Sequence, residues 1–319
     1  IESDLSRVLA NVGRFEEARA RAESASRRAS EVGTPAAIAY AEIGLGDLLM
    51  TLGDFDAAGA AFLRAARVLR RQGAPAAAEC IARVAQARAA QGRLRIALGA
   101  YERASRGMDA TQFRRLEAAF RIEFAEACLA AGRPDRAREL ASGARRLLDG
   151  VRDHTVEARA TALEAACAWV RDDPEAAYLT EYALRCARGK SPELRLVVLH
   201  TAAGGWMAAR KPDDAAGLAL RVLAETEDCV PAWLRIPTLA LAARADREAA
   251  AAATLLLRTH GQRLPLLDRI VAHAHVGLAT GDEAQLAVTR ALIRDLDPVI
   301  DLKLANPVIR RVAMLDGRD

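Results

Sequence analysis

The residues best suited to chemistry are a His273–His275 pair, five cysteines and a Gly204-Gly205-Trp206 string. Two imidazoles could share a metal ion. On a helix, however, residues two apart point to different faces, so the pair reads as ordinary helical histidines and no metal is expected. The cysteines are Cys80, Cys128, Cys167, Cys186 and Cys229, an odd count with no CxxC spacing. Each sits in an apolar helical context, which predicts buried free thiols in a reducing compartment. Spacing alone leaves a Cys–His nucleophile pair open, but the alanine-rich runs around Cys80, Cys128 and Cys167 point to inert thiols. Gly204-Gly205-Trp206 falls in a predicted helix and reads as close helix packing, not a phosphate cradle. The sequence has no P-loop, GxGxxG or GxSxG motif. The expectation is a non-enzyme without a cofactor.

The elements around these residues repeat. A turn residue, two polar or turn residues and then alanine recur as Gly13-Arg14-Phe15-Glu16-Glu17-Ala18, Gly53-Asp54-Phe55-Asp56-Ala57-Ala58, Gly92-Arg93-Leu94-Arg95-Ile96-Ala97 and Gly132-Arg133-Pro134-Asp135-Arg136-Ala137. The glycine spacings are 40, 39 and 40. Weaker copies begin at Asp172, Lys211, Ala245 and Gly281. Glycine ends a helix in the left-handed conformation, Asp caps the next, and Pro fits its first position. A second series interleaves, with Gly33, Gly73, Gly150 and Gly189, followed in three cases by Pro35, Pro75 and Pro192. Between the two series run apolar positions at helical spacing, as in Ile43, Leu45, Leu49 and Leu52 before one turn and Ala58, Phe62, Ala65 and Leu69 after it.

These signals predict an all-α, right-handed α-solenoid of about eight helical hairpins plus a C-terminal capping helix. The predicted hairpins span 1–33, 34–74, 75–110, 111–152, 153–190, 191–229, 230–263 and 264–297, with cap and tail at 298–319. Stacked hairpins also escape the size limit of a single core, which 319 residues would strain. Pro237, inside the first helix of the seventh hairpin, should kink it. The cap is expected around Leu302–Leu315, apolar through Leu304, Val308, Val312 and Leu315, with Arg310 and Arg311 opposite.

Hydrophobic residues make up 52% but aromatics only 4%, so alanine supplies most of the apolar surface. That favours helices and close approach between them. The net charge is +4, from 46 basic and 42 acidic residues, and no block of five or six like charges occurs. Only Lys190, Lys211 and Lys303 are lysines, a bias that reads as a GC-rich genome and not as a nucleic-acid signal. Arginines do cluster at Arg19/Arg21/Arg27/Arg28, Arg64/Arg67/Arg70/Arg71 and Arg145/Arg146 on second helices. Their spacing and nearby acids describe a solvated face, and aromatics for base stacking are missing, which argues against nucleic acid. No apolar run of about 18 residues and no signal peptide is read, which predicts a cytoplasmic protein without a membrane span. The first residue is Ile1 and the helix before Gly13 is short, so the array is expected to continue upstream.

The pattern resembles the tetratricopeptide repeat. The second hairpin carries the resemblance best, with Leu45-Gly46, Leu49, Gly53-Asp54-Phe55, Ala58, Phe62 and Ala65 on the family's signature positions. Gly92, Ala97, Tyr101 and Ala104 follow in the third, Phe124, Gly132, Ala137 and Ala141 in the fourth, and Trp206, Ala215 and Ala219 in the sixth. The period of about forty exceeds the family's usual 34. That is similar to the arrays of bacterial LuxR-type large ATP-binding regulators, caspase-like CHAT proteases and Ser/Thr kinases.

The resemblance implies a protein- or peptide-binding scaffold, the sensor or interaction module of a bacterial signalling regulator. A spacer or oligomerisation element beside a catalytic domain is the alternative. In such arrays the first helix of each pair lines a concave groove. That face would carry Arg7, Asn11, Tyr40, Ile43, Asp47, Met50, Thr51, Gln86, Glu126, Leu129, Trp169, His200, Met207, Thr238 and His275. Its mixed charge, methionine and aromatics suit a peptide, a partner helix or another domain of the same polypeptide. Arg7 and Asn11 are followed one unit later by Asp47 and Thr51, so the paired basic residues that clamp a terminal carboxylate are missing.

Overall fold

The computed structural model describes residues 2–11, 13–107, 114–151, 153–208, 211–226, 230–296, 309 and 311–312. Every regular element among them is helical. The chain forms two compact units, Ile1–Asp109 and Ala110–Asp319.

The first unit holds α1 (Glu2–Asn11), α2 (Phe15–Val32), α3 (Pro35–Leu52), α4 (Phe55–Arg71), α5 (Ala76–Ala90) and α6 (Leu94–Ser105). Each packs on the next in sequence, and α1 also touches α3. The second unit holds α7 (Arg114–Ala130), α8 (Pro134–Leu147), α9 (His154–Val170), α10 (Ala176–Ala187), α11 (Pro192–Ala208), α12 (Pro212–Thr226), α13 (Ile236–Ala242), α14 (Arg247–His260), α15 (Leu266–Thr280) and α16 (Glu283–Arg294). Here the odd-numbered helices also form a continuous row, with α7 on α9, α9 on α11, α11 on α13 and α13 on α15. The helix ahead of each turn therefore meets its own partner and its counterpart in the next pair.

The turns account for this repetition. Gly13, Gly53, Gly92 and Gly132 all have φ between 73° and 80°. The N–H of the following residue then reaches back five positions, as in Asp54 to Leu49 O at 2.9 Å and Arg133 to Cys128 O at 2.8 Å. This closure satisfies carbonyls that the helix end would leave unpaired. At the fifth turn Asp172 takes the left-handed conformation instead (φ 53°). The same closure follows, with the Asp173 N–H on Ala168 O at 3.0 Å. Aspartate tolerates that conformation better than most residues, so the turn survives without glycine.

Packing keeps the same register. Seven residues before positions 13, 53, 92, 132, 172, 245 and 281 stand Ser6, Gly46, Ala85, Ala125, Ala165, Thr238 and Ala274, all small and all buried. Five residues after four of those turns stand Ala18, Ala58, Ala97 and Ala137, each fully buried. Small side chains at both places let the two helices of a pair close on each other.

Three sequence expectations change, and the cap is described only in part. Pro237 lies in the first turn of α13, behind a 3-10 segment Ala232–Arg235, and does not kink a helix interior. Its missing N–H would go unused there anyway. A Cβ on Gly204 would meet nothing within 4 Å, so close packing does not explain that glycine; Gly205 and Trp206 have no described side chains. The helix α3 is an eighteen-residue apolar stretch with mean hydropathy 1.2, contrary to the expectation of none. It packs against both α2 and α4, and its Glu42 and Asp47 each meet an arginine. Of the expected cap, only Ile309, Arg311 and Val312 are described. Ile309 packs with Leu266, Ile270 and Val271, and Val312 with Ala274 and Leu286. Leu304, Val308, Arg310 and Leu315 lie outside the described residues.

Candidate ligand-binding face

The residues expected to meet a partner separate into three groups. Tyr40 on α3 is 77% exposed. Seven residues on, Asp47 lies on the same stripe of the helix and pairs with Arg83 of α5 at 2.5 Å. Gln86, half-buried, lies three residues past Arg83 and so on the same side of α5. Thr51 donates to the Asp47 carbonyl and so extends the local network. In the second unit Glu126 of α7 pairs with Arg159 of α9 at 2.7 Å. Asp47 and Glu126 thus each reach the first helix of the following pair. Partial burial raises the Asp47 carboxyl pKa against the opposing pull of Arg83. Arg7 is exposed on α1 beside Asp4.

His200 of α11 and His275 of α15 lie near enough for their charges to interact. The Nε2 of His200 on α11 stands 3.4 Å from Asp268 Oδ1 on α15. Burial alone would lower the His200 pKa, but the hydrogen bond and charge of Asp268 outweigh it and the net shift is upward. His275 goes the other way: burial, then the charges of His200 and Arg244, push it down to about 3. His273 turns to another neighbour, with Nδ1 2.6 Å from Gln285 Oε1 on α16. The two histidines of the HxH string therefore serve different contacts.

The third group leaves the face. Trp169 is 7% exposed, and its Nε1 donates to Thr180 Oγ1 at 3.0 Å. Its ring also packs on Ala168, Ala176 and Leu179 and lies under Lys211. It fills a gap between α9 and α10, where Thr180 occupies the place that Phe62 holds on α4. Ile43 packs against Ala65, Ala66 and Cys80, and Met50 against the core of α3 and α4. Thr238 is buried. Of these four, all expected on the groove, Trp169 and Thr238 are buried and Ile43 and Met50 are half-buried. The side chains of Asn11 and Met207 lie outside the described residues.

Arg83, Arg159 and Asp268 escaped the sequence reading. An opposite charge 36 or 33 residues on, in the next first helix, would have flagged Arg83 and Arg159. Asp268 lies two pairs from His200, and no local signal marks it.

The thiols and arginines settle into the scaffold. Burial pushes Cys80 up to about 11 and Cys167 up to about 12, which removes the thiolate that nucleophilic chemistry needs. Arg64 binds buried Glu42, which Ser26 also contacts, and Arg145 binds buried Glu164, which Ser142 contacts. Arg19 reaches Asp54 at 3.4 Å and Arg138 reaches Asp173 at 3.6 Å. In both, an arginine six residues past one turn meets the aspartate one residue past the next.

No protein-family model matches the chain. A comparison with curated proteins also found no match.

Proposed function

We propose that the chain is a right-handed α-solenoid of eight tetratricopeptide-like hairpins with a C-terminal cap, acting as a protein- or peptide-binding scaffold within a larger bacterial cytoplasmic regulator. The recurring left-handed turns, the buried small residues seven positions before the turns within pairs, and the row of odd-numbered helices support the repeat reading. The observation that carries the binding reading is Tyr40: a large aromatic left exposed on α3, in line with the Asp47–Arg83 pair and Gln86. Aromatic anchors beside oriented charges are what peptide-recognition grooves use. Peptides selected from a displayed library against the whole chain should lose roughly tenfold or more in affinity on Tyr40→Ala with Gln86→Ala. Leu255→Ala, at an exposed apolar position on α14, should leave them unchanged. Selection of nothing, or equal losses in both variants, would remove this reading.

A spacer that self-associates is favoured by one observation: Leu5 and Val8 of α1 are 41% and 56% exposed. Light scattering should then report a mass above that of one chain, falling to one chain on Leu5→Ser with Val8→Ser.

A further inference from the structure

A second site lies at the start of α9, on the side where α8 and α10 end. The C-terminal ends of α8 and α10 and the N-terminal end of α9 enclose a cleft of about 920 Å³. That is the size of cavity that takes a small molecule. Arg146, Arg185, Arg188 and Lys190 line it, together with Arg145 and Tyr182. The Arg145 charge is spent within the fold, on Glu164 at 2.7 Å and Glu157 at 3.1 Å. The Asp153 carboxylate caps α9, accepting from the N–H groups of Thr155 and Val156.

The other four cations have no carboxylate within ion-pair distance among the described residues, and each is exposed. Arg185 lies over the Tyr182 ring at 5.7 Å, which orients its guanidinium without neutralising it. Asp149 is the remaining lining acid without an arginine partner among the described residues. Five cations against four acids leave the lining at a net charge of +1, and the positive charge not already held by a carboxylate lies on Arg146, Arg185, Arg188 and Lys190.

Helix dipoles explain part of this arrangement. Cations in the last turns of α8 and α10 offset the negative helix ends. That accounts for Arg146 and Arg185, but Arg188 and Lys190 lie beyond the helix and converge on the same space. Three guanidinium groups and an ammonium around one cavity match an anion with several oxygens bearing charge, which arginine forks bind in pairs.

We propose that this cleft binds a small, multiply phosphorylated anion. Calorimetry on the whole chain with inorganic triphosphate should show saturable binding at one site. Arg185→Ala with Arg188→Ala should weaken it roughly tenfold or more, since each charge-assisted hydrogen bond is worth about that factor. Arg70→Ala with Arg71→Ala, at the end of α4, should leave it unchanged. A nucleoside triphosphate run in parallel tells a nucleotide source from a simple polyphosphate: tighter binding assigns the base a contact, and equal binding leaves the phosphates as the whole determinant. Absence of saturable binding, equal weakening in the control variant, or tighter binding of hexaglutamate than of triphosphate would overturn the proposal. The last result would assign the cleft to acidic peptides.

Discussion

Phe62 on α4 closes over Gly46 on α3 so tightly that a Cβ at residue 46 would stand 2.5 Å from the ring. The ring is fully buried and cannot swing into solvent. Gly46→Ala should therefore destabilise the chain by about 1–3 kcal/mol, the usual cost of overpacking. Gly217 on α12 is the opposite case, exposed and with nothing within 4 Å of an added Cβ. Gly217→Ala should stabilise by about 0.5–1 kcal/mol through helix propensity. Urea midpoints of the two variants should move in opposite directions. Movement in the same direction would show that the α3–α4 contact is looser than described.

Trp169 gives a sharper test of packing against binding. Trp169→Phe keeps the aromatic bulk but strands the hydroxyl of Thr180, which is fully buried. Thr180 still donates to Ala176 O at 2.9 Å, so the loss falls on its role as acceptor. A cost of about 1–3 kcal/mol is expected, mostly recovered in the double variant with Thr180→Val. Peptide affinity should not change. A binding defect without a stability loss would return Trp169 to the ligand face.

Glu164 and Asp173 compare a buried carboxylate with a partly exposed one. Glu164 is 7% exposed and holds both Ser142 and Arg145. Glu164→Ala should cost about 1–3 kcal/mol, because two polar partners lose their acceptor. The Arg138–Asp173 pair lies at 3.6 Å near the surface and should couple by only about 0.2–1 kcal/mol in a double-mutant cycle. Raising the salt concentration should erase the second effect and spare most of the first.

These contrasts show where the sequence is legible. Turns are, because glycine at Gly13, Gly53, Gly92 and Gly132 is the residue a left-handed closure calls for, and Asp172 could be placed by period alone. Helix faces are less so. Buried residues surround nearly all of α9, since α7, α8, α10 and α11 all pack on it. An alanine-rich helix enclosed in this way has no polar stripe to mark an outer side, so Trp169 could not be assigned. On α3, whose Tyr40 and Asp47 stay exposed, the stripe was readable, although Ile43 beside it turns inward. The cationic cleft depends on bringing Arg146 next to Arg185, Arg188 and Lys190, some forty residues away, and sequence spacing does not report that.

His200 and His275 should give the chain opposing responses to acid. The His275 pKa falls to about 3 in the folded chain, against about 6.5 in the unfolded one. Between those values the unfolded state binds a proton that the folded state refuses, so stability falls as pH drops from about 6.5 towards 3. The His200 pKa is raised by Asp268, so its contribution is full below about 6.5 and fades as pH rises through the folded value. His275→Gln should flatten the loss of stability between neutral and acid pH. Asp268→Asn should remove the His200 contribution, costing more at mildly acid pH than at alkaline pH. Because a charged His200 also opposes protonation of His275, His200→Gln should let His275 titrate at higher pH, visible in its imidazole NMR shifts. Unchanged His275 titration in that variant would mean that burial alone sets it and that the two helices α11 and α15 are not coupled through these rings.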